Sequence, residues 1–172
     1  FLHLQPMVSV VTNLESEHLS SYDGNFDKLC KTFLEFLHNL PFYGLAVLNS
    51  DDRVLASMLP NLNRRVYTFG FGEASDYQIV NLKRKGFLSQ FEVTRPSCDD
   101  RLPIKLSMPG IHNVLNAAAA IAVATEEGIA DRFIQEGLES FQGVDRRFYH
   151  KGELKLGSGK VNLIDDYGHH PT

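Results

Sequence analysis

The sequence predicts an α/β fold, with a mostly parallel sheet, helices on both faces and a small antiparallel excursion. Three observations support this prediction. Short β-branched runs alternate with helical segments in the first part of the chain. Strand-like segments separated only by short turns follow, and an alanine-rich helix comes after them. Strand–helix–strand order favours parallel pairing through helical crossovers, whereas short turns favour antiparallel hairpins.

Three buried-type strands are predicted in the first part of the chain, at residues 7–12, 44–49 and 66–71. Between the first two, apolar residues recur at intervals of three and four over residues 26–40, with charged residues among them. This spacing predicts an amphipathic helix that stops at Pro41. A shorter helix is expected at residues 51–59, so that strands and helices alternate.

The middle of the chain contains three further strand-like segments, at residues 77–82, 87–94 and 104–108. Turns at Lys85-Gly86 and at residues 96–100 separate them, and this pattern favours antiparallel hairpins. The remaining predicted elements are two helices followed by two strands, at residues 112–127, 131–141, 148–156 and 161–164.

Length and composition exclude several classes of protein. The 172 residues, 43% of them hydrophobic and 22% charged, fit one soluble domain of ordinary size. A net charge of −4 argues against a nucleic-acid binder or a basic membrane surface. No apolar run approaches the roughly 20 residues of a membrane-spanning helix. Cys30 and Cys98 lie far apart and suggest reduced thiols, although a single disulfide stays possible.

The loop after the first predicted strand, TNLESEH, is a candidate metal site. Ligands of open α/β sheets bind beyond the carboxyl ends of the strands, which is where this loop falls. Glu15 and His18 offer a hard oxygen and an imidazole to a divalent cation. The alternative is a polar loop in which both side chains are simply solvated.

The start of the alanine-rich helix, GIHNVLN, is a candidate nucleotide site. Asn113 and Asn116 lie three residues apart, so they share one face of a helix near its positive end. Each amide has a donor and an acceptor, which suits recognition of a purine edge. The alternative is that His112 or Asn113 caps the helix and the following alanines pack on the sheet.

The third candidate combines Arg146 and Arg147 with the run DDYGHH at residues 165–170. Arginine binds phosphate through two parallel hydrogen bonds, and an aspartate at the end of a strand can hold ribose hydroxyls. Two alternatives stay open, a solvated pair of arginines and a metal site in the acidic and histidine-rich run.

Four segments in this order resemble the motifs of the Mur ligases, the ATP-dependent amide ligases of peptidoglycan synthesis: TNLESEHLSSY, GIHNVLNAAAAIAVATEEG, SFQGVDRRF and DDYGHHPT. The resemblance runs over the whole chain and implies a truncated P-loop-type central domain, with ATP and Mg²⁺ as cofactors. No GxxxxGK[ST] motif occurs in residues 1–172. The resemblance therefore implies that the phosphate loop and a UDP-sugar domain lie upstream, and that a C-terminal domain lies downstream.

The resemblance also assigns roles to residues of the first segment. His18 matches the histidine that coordinates the second magnesium ion and is therefore implied in catalysis. Glu15 and Asn13 belong to the same motif, with Glu15 as a further metal ligand. The family usually has aspartate where this chain has Glu17, just before that histidine. The carbamylated lysine of several sister ligases is not assigned to any lysine here.

The later segments are implied to bind the nucleotide. Asn113 and Asn116 match the pair that hydrogen-bonds adenine, and His112 lies beside them. Arg147 matches the arginine that contacts nucleotide phosphate and is implied in catalysis. Asp166 matches the acid that holds the ribose. Residues 167–170 match a linker into the C-terminal domain.

The segments FLHLQPMVSVVTN, NLPFYG and YTFGFG narrow the resemblance to members that join L-alanine to UDP-N-acetylmuramate through an acyl phosphate. These two compounds are the implied partners, the implied location is cytoplasmic, and the chain alone is expected to be inactive. Two alternatives are a ligase that attaches a recycled murein tripeptide and a non-catalytic nucleotide-binding domain.

Overall fold

The computed structural model describes residues 2–16, 19–96, 98–144, 149–157 and 159–166. The strands are β1 (Val8–Val11), β2 (Leu45–Asn49), β3 (Arg65–Gly70), β4 (Tyr77–Lys85), β5 (Leu88–Arg95), β6 (Cys98–Leu106), β7 (Tyr149–Leu156) and β8 (Gly159–Asp165). The α-helices are α1 (Phe26–His38), α2 (Arg53–Met58), α3 (Ile111–Glu126) and α4 (Asp131–Ser140). Short 3₁₀ turns occur at Leu19–Tyr22 and Leu59–Asn61.

Strands β1 to β6 form one mixed sheet in sequence order, and β7 and β8 form a separate antiparallel pair. Pairing is parallel from β1 to β4 and antiparallel from β4 to β6. Strand β4 pairs with β3 only at Phe69↔Tyr77 and Gly70↔Gln78. The antiparallel strands therefore begin where β3 ends and extend past the carboxyl edge of the parallel strands. The predicted α/β fold is confirmed.

Strand β6 is longer than the sequence suggested. The prediction placed a turn at residues 96–100 and a strand at 104–108, but β6 begins at Cys98, opposite Arg95 of β5. Its first residues are polar and exposed, so they lack the apolar pattern on which the prediction depended. Pro103 is tolerated because β6 lies at the edge of the sheet, where one side of the strand needs no backbone donor.

Two hydrophobic clusters cover the two faces of the sheet. One contains Val47, Phe69 and Tyr77 and is covered by α3 and α4. The other contains Leu48 and is covered by α1 and α2. All five residues of β2 are buried, because this strand contributes side chains to both clusters. Helix α3 packs closely on the sheet through buried alanines, Ala117, Ala118, Ala119 and Ala122.

The direction of α3 follows from its last residue. Arg65, the first residue of β3, donates a hydrogen bond to Glu126, the last residue of α3. Tyr77 is fully buried, and the Tyr77 hydroxyl donates to the same Glu126 carboxylate over 3.3 Å. This burial raises the pKa of the Tyr77 hydroxyl well above its ordinary value. Helix α3 therefore runs antiparallel to β3, and its amino end lies toward the carboxyl edge of the parallel strands.

Two expectations from composition can be compared with the described residues. No helix among them is long and apolar enough to cross a membrane. Cys30 and Cys98 are both free thiols in the structure, the first half-buried and the second exposed.

Candidate active site

The carboxyl ends of β1, β2 and β3 are joined by one segment, Asn49–Asp52, which comprises the last residue of β2 and the three residues after it. Two of its side chains bind the loop after β1. The buried Asn49 amide donates to the carbonyl of Thr12 over 2.9 Å, and the Asp52 carboxylate accepts from the backbone N–H of Leu14 over 3.0 Å. The first loop of the predicted site is thus held at two backbone positions.

The other two side chains of this segment bind the loop after β3. The Asp51 carboxylate accepts from the backbone N–H groups of Phe71 and Gly72, over 2.7 and 3.2 Å. The Ser50 hydroxyl donates to the carbonyl of Phe69 and lies 2.7 Å from the Ser75 hydroxyl. The segment after β2 therefore connects the loops on both sides of it.

Glu15, a predicted metal ligand, lies in the first of these loops and is half-buried. One of its carboxylate oxygens accepts a hydrogen bond from the Asn13 amide over 3.3 Å, and the Asn13 carbonyl oxygen accepts from the Thr12 hydroxyl over 3.2 Å. Carboxylate, amide and hydroxyl oxygens are the donors that Mg²⁺ prefers, so the chemistry of this loop fits that ion. His18 lies outside the described residues, and no group of three metal-binding side chains occurs within them.

The predicted adenine-binding residues lie in the first turns of α3. The cap position is occupied by Gly110, whose φ of 95° favours glycine, and no side chain caps the helix. Instead, the amide nitrogen of Asn113 donates to the carbonyl of Pro109 over 2.6 Å. This hydrogen bond does not use the side-chain oxygen of Asn113, which can therefore accept from another donor. Asn116 is exposed one turn later, and the exposed His112 ring lies against Gly110.

These positions bring Glu15 and the two asparagines to the same edge of the sheet, since the amino end of α3 lies there. The alternative that His112 or Asn113 caps the helix is wrong, because Gly110 occupies the cap position and no side chain makes a cap hydrogen bond. The expected packing of the alanines on the sheet is confirmed.

The sequence model of one family, described as the Mur ligase middle domain, matches residues 2–124. The chain belongs to the Mur ligase family. The match includes the loop with Glu15, the Asn49–Asp52 segment and both asparagines of α3.

Solved structures of Mur ligases have the same fold. The chain is 27% identical to UDP-N-acetylmuramate-alanine ligase MurC from Thermotoga maritima, with a TM-score of 0.79 over 99% of the chain and 36% of that protein. MurF ligase from the same organism, solved in complex with ADP, is 26% identical, with a TM-score of 0.69 over 86% of the chain and 33% of that protein.

A third Mur ligase, UDP-N-acetylmuramate:L-alanyl-gamma-D-glutamyl-meso-diaminopimelate ligase from Neisseria meningitides, is also 26% identical. Its TM-score is 0.70 over 84% of the chain and 43% of that protein. The chain therefore spans between about a third and two fifths of the length of these three relatives.

Of the other residues with a predicted role in binding nucleotide, the described part of this Mur ligase chain includes Asp166. Asp166 is exposed and directly follows β8, in the two-stranded sheet. Arg146, Arg147 and residues 167–170 lie outside the described residues, so the phosphate-binding and linker predictions stay predictions.

Sequence reasoning missed the Asn49–Asp52 segment at the candidate site, although a signal was present. The run SDD directly follows the buried strand GLAVLN, at the same end of its strand as the predicted loop after the first strand. Asp52 also marks the start of a helix, because aspartate is a favoured cap residue.

Proposed function

We propose that this chain is the middle, ATP-binding domain of a UDP-N-acetylmuramate–L-alanine ligase. The observation that carries the proposal is the family match together with the placement of Glu15 and the α3 asparagines at the carboxyl edge of the parallel strands. The TM-score of 0.79 to MurC, against 0.70 to the Neisseria enzyme, supports the choice of acceptor. In this proposal residues 1–172 form part of the central domain. The phosphate loop, the UDP-sugar domain and the C-terminal domain belong to other parts of a longer protein.

The proposed reaction activates a carboxylate, which is a poor electrophile. An oxygen of the UDP-N-acetylmuramate carboxylate attacks the γ-phosphorus of ATP, the bond to the β-phosphate oxygen breaks, and ADP leaves. The amine of L-alanine then attacks the acyl carbon, loses a proton and expels phosphate. Phosphoryl transfer depends mainly on positioning and on neutralisation of charge, so the domain needs to bind and orient its ligands.

The loop after β1 is proposed to hold Mg²⁺ through Glu15 and, by its match to the family motif, His18. The ion when bound supplies positive charge to the phosphate oxygens. The Asn13 amide holds one Glu15 oxygen, so the carboxylate is kept in one orientation. Arg147 is proposed to contact nucleotide phosphate.

Helix α3 is proposed to bind the adenine. With its amide donating to Pro109, Asn113 presents its oxygen as an acceptor for the adenine amino group. Exposed Asn116 adds a donor and an acceptor on the same face, with His112 beside them, while Asp166 is proposed to hold the ribose. These contacts supply binding and orientation and no chemistry. The ADP complex of the related MurF ligase supports a nucleotide site in this fold.

The reaction is tested by phosphate release from ATP and Mg²⁺ in the full-length protein. UDP-N-acetylmuramate is supplied with L-alanine, glycine, L-serine or murein tripeptide. Release that requires both the sugar acid and L-alanine is expected. Preference for tripeptide would assign the chain to the second candidate, a murein peptide ligase, which the likeness to the Neisseria enzyme favours. ATP binding without turnover would favour a non-catalytic nucleotide-binding domain.

The adenine assignment is tested with Asn113→Ala and Asn116→Ala. Each should raise the KM for ATP by about tenfold while kcat changes little, because lost binding that is equal in ground and transition states affects KM. Asn63→Ala, an exposed asparagine before β3 at the opposite edge of the sheet, is the matched control. Unchanged ATP affinity in both α3 variants would contradict the assignment.

A further inference from the structure

Asp52 makes three hydrogen bonds that divide between its two carboxylate oxygens. Oδ1 accepts from the backbone N–H groups of Val54 and Leu55, both over 2.9 Å, and so caps α2. Oδ2 accepts from the N–H of Leu14 over 3.0 Å, 38 residues away in sequence. Capping requires one oxygen only, so the contact to Leu14 is a separate connection between α2 and the loop after β1.

The position of Leu14 makes this contact important for the loop. Its side chain is buried in the cluster below α1 and α2, and its N–H points to Asp52. The carbonyl of Thr12, two residues earlier, is held by Asn49. The peptide segment that leads into Glu15 is thus held in two ways. The Leu14 side chain packs in the hydrophobic cluster, and the backbone is hydrogen-bonded to Asn49 and Asp52.

A carboxylate at this point provides more than a neutral side chain could. A hydrogen bond from a backbone N–H to an ionised acceptor is shorter and stronger than one between neutral groups. A metal ligand needs its supporting contacts to be placed as accurately as the ligand itself. Glu15 directly follows Leu14, so a shift of the Leu14 peptide displaces the Glu15 backbone with it.

We propose that Asp52 is a positioning residue for the magnesium loop of the ligase, through its Oδ2 contact to the Leu14 N–H. This inference rests on the proposed function. It assigns Asp52 no contact with metal or substrate. Its role is to hold the backbone from which Glu15 projects, independently of its role as the cap of α2.

Two substitutions separate the two roles. Asp52→Asn keeps the shape of the side chain. The single side-chain oxygen of this asparagine is expected to keep its hydrogen bonds to the two N–H groups of α2. Its NH₂ group would then face the Leu14 N–H, and two donors cannot form a hydrogen bond. Asp52→Ser keeps a favoured cap residue, but its single hydroxyl is too short to serve both ends. Both variants therefore retain the helix cap and lose the contact to the loop.

Asn25→Ala is the matched control, because the Asn25 side chain caps α1 by accepting from the Lys28 N–H over 3.1 Å. This substitution removes a cap from a helix of the same domain, and the hydrogen bond that it removes lies within the first turn of α1. It should lower the melting temperature and leave the metal dependence of the reaction unchanged.

The experiment uses the full-length protein and three readouts. The first is the KM for Mg²⁺ and kcat in phosphate release. The second is direct binding of Mn²⁺, as a probe of the metal loop, by electron paramagnetic resonance. The third is the exchange rate of the Leu14 amide proton. Both Asp52 variants should raise the KM for Mg²⁺ and weaken Mn²⁺ binding by about 10- to 100-fold, the usual range for groups that support metal ligands. Exchange at Leu14 should become faster.

A metal dependence within twofold of the wild type, with faster exchange at Leu14, would overturn the proposal and leave Asp52 as a cap only. A lower melting temperature with unchanged KM for Mg²⁺, as in Asn25→Ala, would overturn it in the same way. If the wild type shows no turnover with any acceptor, the proposed function fails. Mn²⁺ binding then decides the present inference, because weaker binding in the Asp52 variants supports it and equal binding overturns it.

Discussion

Substituting Gly70 by alanine tests whether Asp51 holds the loop after β3. A Cβ atom at Gly70 would lie 2.8 Å from both Cγ and Oδ1 of Asp51, whereas non-bonded contacts are favourable at about 3.5–4.0 Å. The carboxylate would have to move by about 0.7 Å. Its hydrogen bonds to Phe71 and Gly72 start at 2.7 and 3.2 Å, so the longer one would break and the shorter one would weaken.

The size of the effect follows from these contacts. Two hydrogen bonds of an exposed carboxylate contribute about 1–3 kcal/mol together. Against this loss, replacing glycine by alanine stabilises the folded state by about 0.4–1 kcal/mol, because alanine lowers the conformational entropy of the unfolded chain. Gly70→Ala should therefore lower the free energy of unfolding by about 0.5–2 kcal/mol, a decrease of several degrees in Tm at this chain length. Equilibrium urea unfolding measures it.

A matched substitution should have the opposite sign. Gly137 lies inside α4, and a Cβ atom there would meet nothing within 4 Å. Gly137→Ala should raise the free energy of unfolding by about 0.5–1 kcal/mol. Repeating Gly70→Ala in an Asp51→Ala background should remove its cost, since the clash and both hydrogen bonds are then absent. An equal cost of Gly70→Ala in both backgrounds would refute the reasoning.

Three further predictions concern single side chains. Tyr77→Phe should lower the free energy of unfolding by about 1 kcal/mol in urea unfolding, because it removes the buried hydroxyl from its acceptor on α3. Asp131 binds Arg95 through two hydrogen bonds that hold the pKa of its carboxyl below the ordinary 3.8. Because this pKa is lowered by folding, the stabilisation is complete above about pH 4 and disappears as the pH falls through the lowered pKa. Asp131→Asn should therefore cost about 1 kcal/mol at neutral pH, since solvent screens the half-exposed Asp131 carboxylate, and progressively less as the pH falls through that lowered pKa; thermal unfolding across pH measures both. Burial raises the pKa of the Cys30 thiol, so a thiol reagent should modify exposed Cys98 first, in a two-phase time course.

The fold was largely predictable because its parallel half has strong apolar periodicity. The helix expected from Phe26 begins there, and the strand GLAVLN is recovered as β2. The start of β6 was not predictable, since its first four residues are exposed and the first of them, Cys98, joins the sheet by pairing with Arg95 of β5. Hydrophobic patterning does not predict pairing of this kind.

The site was predictable only in part. The α3 asparagines were predicted from their three-residue spacing; the structure places them at the carboxyl edge, and their contact with adenine stays a prediction. The contact from Asn113 to the Pro109 carbonyl depends on the turn at Gly110, with φ of 95°, and spacing does not reveal it. The contact between Asp52 and Leu14 joins positions 38 residues apart, which only the parallel pairing of β1 and β2 brings together.

Because β2 is buried on both faces, the segment that continues from it should keep its structure until the domain unfolds. Both hydrophobic clusters share this strand, so neither can be lost without exposing it to water. Regions with many buried contacts open only when the whole domain unfolds, whereas exposed hairpins such as β7–β8 open locally. Because Asn49–Asp52 continues directly from β2, the connections to both loops persist until global unfolding. Heating should therefore release the loops after β1 and β3 only in the cooperative transition that unfolds the sheet.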